Sequence, residues 1–179
     1  MNRAANWALW LPLALFAGLL LLVAGGLLRP ASRDVQSAMV GKPLPDFVLK
    51  GALPGRPGLA RVDFADGRPK LLNVFASWCV PCAVESPQLA QLKAAGARIE
   101  AVAIRDKGED IASFLKRNGD PFDRIATDPV SSLQLAIGSS GVPETFVIDG
   151  RGVIRYQHIG DIRPENVAML LGKLREAGR

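Results

Sequence analysis

A continuous apolar run that ends at the only two cysteines of the chain constrains the fold more than any other feature. The run LLNVFAS, from Leu71 to Ser77, comes directly before Cys79 and Cys82. A strand buried on both faces has this pattern, and such strands belong to sheets that helices cover on both sides. Residues 79–95 then place apolar side chains at helical spacing. We therefore predict that the chain turns from strand to helix at the cysteines.

The segments on either side of this junction alternate between strand and helix patterns. Further strands are predicted within residues 43–49 and at 59–64, 99–105, 122–128, 141–149 and 152–160. Further helices are predicted at residues 108–119, 129–138 and 163–178. The last two strands flank the turn DGRG, which is typical of a hairpin. This order indicates an α/β fold with a central mixed sheet and helices on both faces.

The beginning of the chain carries a long uncharged stretch. From Trp7 to Leu28 there is no charged residue, and a helix needs about 20 apolar residues to cross a bilayer. Signal-peptide cores are shorter, about 7–15 residues. We therefore predict a transmembrane anchor at residues 1–28, a polar tether at 29–40 and a folded domain at 41–179. A cleaved signal remains an alternative because residues 24–26 are small, and the flanking charges do not set the orientation.

Composition argues against two classes of function. The chain has 22 Lys and Arg against 17 Asp and Glu, with the two signs interspersed and no basic stripe, so nucleic-acid binding is not expected. A zinc site needs four ligands, whereas the sequence offers two cysteines and the single histidine, His158. We predict no metal and no cofactor, and a metal-binding assembly factor is the less favoured alternative.

The spacing of the two cysteines suits dithiol–disulfide exchange. The start of a helix stabilises a thiolate on Cys79 through free N–H groups and the helix dipole. Cys79 would then be exposed and form a mixed disulfide with a partner, and Cys82 beneath it would resolve that bond, leaving a Cys79–Cys82 disulfide. Trp78 is expected to cover the pair from the side. A purely structural disulfide is disfavoured because so short a loop removes little unfolded-state entropy.

Two further segments supply candidate site residues. Glu85 lies one turn after Cys82; it is either a solvated charge on the helix or a partly desolvated carboxylate that accepts the Cys82 proton. Pro87 is expected to kink the helix. In GVPETF, a cis Val142–Pro143 bond would make a tight turn and free the Val142 backbone to pair with a bound peptide, although local sequence leaves the isomer open.

The motifs NVFASWCVPCAVESP and GVPETFVIDGRGVIRYQHIGD resemble, in order and spacing, the membrane-anchored thioredoxin-like proteins of cytochrome c maturation, the CcmG/DsbE group. The resemblance runs from about Gly41 to the C-terminus. The pattern Cys-x-x-Cys-x-x-Glu-x-Pro is shared with TlpA-like and ResA-like proteins, and Pro-Glu-Thr narrows it towards CcmG/DsbE. The resemblance implies a thioredoxin-like fold behind the N-terminal transmembrane helix.

The resemblance also assigns roles to residues. It implies that Cys79 is the nucleophile, that Cys82 is the resolving thiol and that Pro143 is a cis-proline facing them. Glu85 and Glu144 become the acidic residues near the site, and Asn73 stands where general thioredoxins carry a buried aspartate. The surface that holds a bound chain is predicted to include Trp78, Val142 and Glu144. The chain departs from the family in its Val-Pro dipeptide between the cysteines and in Phe75, where a tryptophan is common.

The function that the resemblance implies is reduction of disulfides in apocytochrome c or in thiol proteins of haem ligation. The domain would lie in the bacterial periplasm, held by one span in the inner membrane, and would receive electrons from a transmembrane reductase of the DsbD/CcdA kind. An anchored TlpA/ResA-like reductase of general or other purpose is the main alternative. A peroxiredoxin is not expected, because Leu72 and Ala76 stand where its Pro-x-x-x-Thr/Ser-x-x-Cys motif needs proline and a hydroxyl residue.

Overall fold

The computed structural model describes residues 3–27 and 38–179. These residues fall into two compact units, Met1–Val35 and Gln36–Arg179, of which the second holds the cysteines. The first unit contains helix α1, Arg3–Leu27. In the part of the chain that the structure describes, no helix is both long and apolar enough to cross a membrane. Leu28 and most of the predicted tether at residues 29–40 lie outside the described residues.

The second unit is built on two sheets. Strands β1 (Val48–Leu49) and β2 (Leu59–Ala60) form a small antiparallel pair. The main sheet has the order β5-β4-β3-β6-β7 and consists of β3 (Lys70–Phe75), β4 (Ile99–Ile104), β5 (Arg124–Asp128), β6 (Glu144–Ile148) and β7 (Ile154–Ile159). Helices follow as α2 (Val80–Val84), α3 (Ser86–Ala94), α4 (Gly108–Asn118), α5 (Ser132–Ala136) and α6 (Pro164–Ala177).

The main sheet is mixed, and this confirms the α/β fold predicted from the sequence. Strand β3 pairs in parallel with β4, which pairs in parallel with β5, while β6 is antiparallel to both β3 and β7. All six residues of β3 are buried, as are all six of β4. The predicted final hairpin is present. Its first strand, β6, lies inside the sheet between β3 and β7, and its second strand, β7, is an edge strand.

The strand directions place five chain segments at the same end of the strands of this sheet. The carboxyl ends of β3, β4, β5 and β7 lie there, together with the start of β6. We call it the cysteine edge, and it is formed by Ser77–Cys82, Arg105–Lys107, Asp128–Ser131, Ser140–Pro143 and Gly160–Ile162. The opposite edge, called the turn edge, carries Lys70 and the turn at Asp149–Gly152.

Apolar packing fixes the central strand. Phe75 stacks on Phe122 with ring centroids 5.2 Å apart and contacts Phe114 of α4 at 5.6 Å. On α6, Leu170 and Leu174 are buried in the same core. Close-packed side chains resist displacement. The position of β3 is therefore fixed, and so are the side chains that it places beside the cysteines.

The segment at residues 59–64 corrects a sequence prediction. It was expected to be one strand, but the strand ends at Ala60 and a 3₁₀ helix follows at Arg61–Phe64. The Asp63 carboxylate accepts a hydrogen bond from the Ala60 N–H at 2.8 Å. A side-chain acceptor of this kind competes with ladder pairing and favours a turn, while Phe64 still reaches the core.

Candidate redox site

A disulfide between Cys79 and Cys82 lies at the start of α2. The S–S distance is 2.07 Å and the Cα atoms are 5.3 Å apart. Cys79 is the residue before the first turn, and its sulfur accepts a hydrogen bond from the Cys82 N–H at 3.2 Å. A backbone donor and a helix N-terminus both stabilise negative charge on that sulfur. The geometry therefore favours the thiolate at Cys79 once the bond is reduced.

Both cysteines are buried in the disulfide form. Cys79 is 5% exposed and Cys82 is 2% exposed. The sequence predicts an exposed Cys79 above a shielded Cys82, whereas in the structure both side chains are almost fully buried. The cause is the N-cap position of Cys79, which turns its sulfur inward towards the Cys82 N–H.

The loop before the cysteines is tied to the end of β4. Asp106 accepts from the Ser77 N–H at 2.5 Å and from the Ser77 hydroxyl at 2.8 Å. Trp78, which was predicted to cover the cysteine pair, is 58% exposed, and its indole Nε1 donates to the Arg105 carbonyl at 3.4 Å. The Asp106 contacts thus set the direction in which the chain enters α2.

The helix after the cysteines is broken, and the break lies at Glu85. Pro87 was predicted to kink the helix, and the structure has the distortion in the turn before Pro87: α2 ends before Glu85 and α3 begins after it. The Glu85 N–H donates to the Pro81 carbonyl at 3.1 Å, and its own carbonyl accepts from the Leu89 N–H at 3.1 Å. Pro87 consequently sits in the first turn of a new helix, where its missing N–H is not needed.

This break turns the Glu85 side chain into the protein. Glu85 is 0% exposed. Its Oε1 accepts from the Asn73 side-chain Nδ2 at 3.0 Å, and its Oε2 accepts from the Ile162 N–H at 2.9 Å. Burial raises the pKa of Glu85 from 4.5 to about 7, the two hydrogen bonds oppose that rise, and the negative charge of Asp161 adds to it. Glu85 is therefore not the solvated helix charge that the sequence left open.

Asn73 supports Glu85 from the middle of the sheet. It is 0% exposed, and its Nδ2 donates both to Glu85 and to the Thr145 hydroxyl, the latter at 2.9 Å. Its Oδ1 is buried and has no hydrogen-bond partner among the described residues. The buried carboxylate of this site therefore belongs to Glu85, between α2 and α3, whereas β3 contributes the neutral amide of Asn73.

The Val142–Pro143 turn lies at the cysteine edge. Its peptide bond is cis, Pro143 is buried and Val142 is half-buried. The Pro143 carbonyl accepts from the Gly160 N–H at 3.0 Å. Since β6 starts at Glu144 and pairs with β3, this turn stands on the side of the sheet where Cys79 follows β3. The structure thus brings the predicted turn and the predicted cysteines to one edge.

Glu144 does not line that surface. It was predicted to contact a bound chain, but it is 1% exposed. Its Oε1 accepts from the Ser140 N–H at 2.8 Å and from the Ser140 hydroxyl at 2.5 Å, and its Oε2 accepts from the Gln157 Nε2 at 2.7 Å. With these donors the Glu144 carboxylate points into the protein. Its bonds to Ser140 hold the loop before Pro143 in place from the buried side.

Several residues that shape the site carry only a weak signal, or none, in the sequence. Asp128 caps α5, with its carboxylate accepting from the N–H groups of Ser132, Leu133 and Gln134. Asp106, after the end of β4, instead accepts from Ser77 and from the Lys107 N–H. In both cases the usable signal was an aspartate at the end of a buried strand, just ahead of a helix. No local signal marks Thr145 or the Ile162 N–H.

The single histidine lies near the same edge. His158 Nε2 is 3.2 Å from the Asp161 carbonyl oxygen. Over the described residues, no group of three or more His, Cys, Asp or Glu side chains is placed to hold a metal ion.

Comparisons with known proteins agree with this geometry. The Redoxin family model matches residues 39–172. The chain is 39% identical over 161 residues to the thiol:disulfide interchange protein DsbE of Escherichia coli (strain K12), covering 87% of this chain and 86% of that protein. It is 38% identical to DsbE of Pasteurella multocida (strain Pm70), covering 88% of each. A crystal structure of a thiol:disulfide interchange protein DsbE from Chlorobium tepidum superposes with a TM-score of 0.64 at 29% identity, covering 78% of this chain and 98% of that one.

Proposed function

The chain belongs to the redoxin family and, within it, to the DsbE-type thiol:disulfide interchange proteins, and from this premise we propose that it reduces disulfides during cytochrome c maturation. It is a thiol–disulfide oxidoreductase, since its family, its structural relatives and the Cys79–Cys82 pair all point to dithiol–disulfide exchange. The observation that carries the proposal is a disulfide at the start of a short helix, with the buried carboxylate of Glu85 at the residue that ends that helix. The two sequence motifs support the cytochrome pathway.

The first step of the proposed reaction occurs at Cys79. In the reduced protein the Cys79 thiolate attacks one sulfur of a partner disulfide. A new S–S bond joins Cys79 to the partner, and the partner's other sulfur leaves as a thiolate. The Cys82 N–H, which lies 3.2 Å from the Cys79 sulfur in the disulfide form, is placed to stabilise the attacking thiolate.

The second step requires Cys82 to lose its proton. The Cys82 thiolate then attacks the Cys79 sulfur, the partner's second sulfur leaves as a thiolate, and the Cys79–Cys82 disulfide forms. Two electrons have passed to the partner, whose two thiolates take up protons from the solvent. Glu85 is the proton acceptor. A carboxylate whose pKa is raised to about 7 is a stronger base than one at 4.5, and its pKa lies close to the working pH, where general-base catalysis is most effective.

The surface that holds the bound chain is formed by Trp78 and the Val142 backbone. Trp78 is exposed beside Cys79, and an extended peptide would pair with the Val142 backbone as an added strand does. Glu144 acts behind this surface by fixing Ser140.

The place of the protein in the cell is part of the same proposal. Residues 1–28 form a single anchor in the bacterial inner membrane, residues 29–40 a tether, and residues 41–179 the domain in the periplasm. The uncharged run from Trp7 to Leu28 supports the anchor. Disulfides form readily in that compartment, so a reductant there must be recharged across the membrane. A transmembrane reductase of the DsbD/CcdA kind supplies the electrons.

Trapping of the mixed disulfide tests the proposal. The Cys82→Ser variant of the full-length protein lacks the resolving thiol and should accumulate covalent adducts that a reducing agent releases. Cys79→Ser is the matched control and should yield few. Adducts containing apocytochrome c, a haem-ligation thiol protein or a transmembrane reductase support the proposal. A broad set of unrelated periplasmic proteins, without any member of that pathway, would replace it with general disulfide reduction.

A further inference from the structure

We propose that Asn73 is a positioning residue that offers Glu85 a hydrogen-bond partner in both of its protonation states, by turning over its side-chain amide. The inference rests on the proposed role of Glu85 as the proton acceptor for Cys82. It explains why a neutral amide, which can donate or accept, occupies the buried position in β3 beside that carboxylate.

The amide in the structure is oriented for the ionised form of Glu85. Asn73 Nδ2 has two protons, and it faces Glu85 Oε1 at 3.0 Å and Thr145 Oγ1 at 2.9 Å. Both partners accept in this arrangement. The other amide atom, Oδ1, is buried without a partner among the described residues. Both N–H groups of Nδ2 thus make hydrogen bonds, whereas Oδ1 makes none within the described part of the chain.

Proton transfer from Cys82 changes the hydrogen-bond partner that Glu85 requires from a donor to an acceptor. When the Cys82 proton moves to the carboxylate, the carboxyl group becomes a donor at one oxygen. Oε2 already faces the Ile162 N–H at 2.9 Å, which cannot accept a hydrogen bond. The proton therefore belongs on Oε1, where it meets Nδ2 of Asn73, a second donor. This clash is removed if the amide turns.

A half-turn of the amide restores the hydrogen bonds. It places Oδ1 where Nδ2 now lies, so that Oδ1 accepts from the Glu85 O–H and from the Thr145 hydroxyl, which can donate as well as accept. Nδ2 moves to the position where Oδ1 has no partner. The turn exchanges one unpartnered atom for another and keeps both contacts on the Glu85 side.

Other side chains at position 73 would favour one state of Glu85. A carboxylate there only accepts, so it repels ionised Glu85 and stabilises the acid form. An aliphatic side chain offers no donor to the carboxylate. Both changes raise the pKa of Glu85, by about one unit or more. The amide keeps that pKa near neutrality, where Glu85 can take the Cys82 proton and later release it.

Apart from Cys82, the other charged and titratable groups near Glu85 lie on the Asp161 side, and none of them is a hydrogen-bond partner of the Asn73 amide among the described residues. Asp161, in the loop between β7 and α6, acts on Glu85 through its negative charge. Arg163 lies 3.6 Å from the Asp161 carboxylate, and the ring of His158 contacts the Asp161 carbonyl. Cys82, on α2, is the thiol whose proton is transferred. The two state-dependent partners of the amide, Glu85 and Thr145, are both uncharged when Glu85 holds the proton.

NMR on the oxidised full-length protein tests the inference without measuring activity. The Glu85 carboxyl carbon is titrated together with the side-chain amide of Asn73. Above the Glu85 midpoint we expect nuclear Overhauser contacts between the Asn73 amide protons and Thr145, and below it we expect their loss. If these contacts persist unchanged at both ends of the titration, the amide does not turn and the inference is wrong. This measurement needs no variant.

Variants at position 73 give a second, independent reading. In Asn73→Asp and Asn73→Leu, the Glu85 midpoint should rise by about one unit or more. Asn118→Asp, the same chemical change at the end of α4, should leave it in place. A midpoint in both Asn73 variants equal to that of the unmodified protein would overturn the inference. Failure of the proposed function would appear elsewhere, as disulfide exchange that is indifferent to Glu85→Gln.

Discussion

Two buried carboxylates at opposite edges of the sheet have opposite properties. Glu85, at the cysteine edge, is 0% exposed, and Asp149, at the turn edge, is 4% exposed. Burial raises the pKa of Glu85 to about 7. Burial also acts to raise the pKa of Asp149, but hydrogen bonds from the Val153 N–H, the Arg155 side chain and the Arg151 N–H outweigh it, and the pKa falls below its usual value.

The difference lies in the partners rather than in the depth of burial. Asp149 receives two backbone N–H groups, each at 2.9 Å, and a guanidinium, whose Nη2 is 2.6 Å away. Glu85 receives a neutral amide and one backbone N–H, and it faces the negative Asp161. A cation beside a buried carboxylate fixes its charge, whereas neutral donors leave the charge free to change. Asp149 at the turn edge therefore keeps its negative charge, whereas Glu85 at the cysteine edge can gain and lose a proton.

The largest expected effect concerns catalysis. Glu85→Gln should slow disulfide exchange by about 10²–10³-fold near neutral pH, because Cys82 loses its proton acceptor. Asp149→Asn is the matched carboxylate-to-amide control and should leave the rate unchanged wherever the variant is folded. Stopped-flow reduction of a peptide disulfide measures both. Equal rates for Glu85→Gln and the unmodified protein across about pH 6–9 would show that Glu85 is only structural.

A second prediction uses stability against pH. The pKa of Glu85 is raised on folding, so its stabilising contribution is complete below about pH 4.5 and is lost as pH rises through about 7. The difference amounts to about 3 kcal/mol of unfolding free energy. Glu85→Gln lacks this loss and should gain stability relative to the unmodified protein over that interval. Urea unfolding at about pH 4.5 and about pH 8 measures it; parallel curves would refute the linkage.

The turn edge should respond in the opposite direction. The pKa of Asp149 is lowered on folding, so its contribution is present above its usual pKa of 3.8 and is lost as pH falls below it. Asp149→Asn should cost about 2 kcal/mol of unfolding free energy at neutral pH, the usual size for a hydrogen bond to a charged group. That cost should shrink in acid. A cost that stays the same from about pH 7 to about pH 3 would mean that the charge of Asp149 is unimportant.

The smallest expected effect isolates the charge of Asp161. Asp161→Asn removes a negative charge near Glu85 and should lower the Glu85 midpoint by less than about one unit, because a charge interaction near the surface is screened. The pH dependence of exchange should move down with it. A rise in the midpoint would mean that Asp161 acts on Glu85 in some way other than through its charge.

Local sequence patterns were sufficient for the sheet and for the position of the cysteines. The apolar runs at residues 71–77 and 99–105 gave β3 and β4 because strands buried on both faces leave a continuous signal. The cysteines at the end of the first run placed the disulfide at the start of α2. The element order then limited the possible arrangements to a mixed sheet.

The environment of Glu85 could not be predicted in this way, because its partners are distant in sequence. Asn73 lies 12 residues away and Ile162 lies 77 residues away. The same limitation applies to Glu144, whose burial depends on Gln157, 13 residues further on, across the β6–β7 hairpin. Pro87 predicted the helix distortion, but local sequence did not show that the distortion divides the helix in two at Glu85.

The most direct test of this account is a carboxyl-carbon NMR titration of the oxidised full-length protein, following Glu85 and Asp149 in the same spectra. Burial with neutral donors predicts a Glu85 midpoint of about 7, and the guanidinium and backbone donors predict that Asp149 titrates below 3.8. If Glu85 instead titrates near 4.5, like a solvated side chain, the cysteine edge holds no proton acceptor for Cys82, and the proposed exchange mechanism is contradicted.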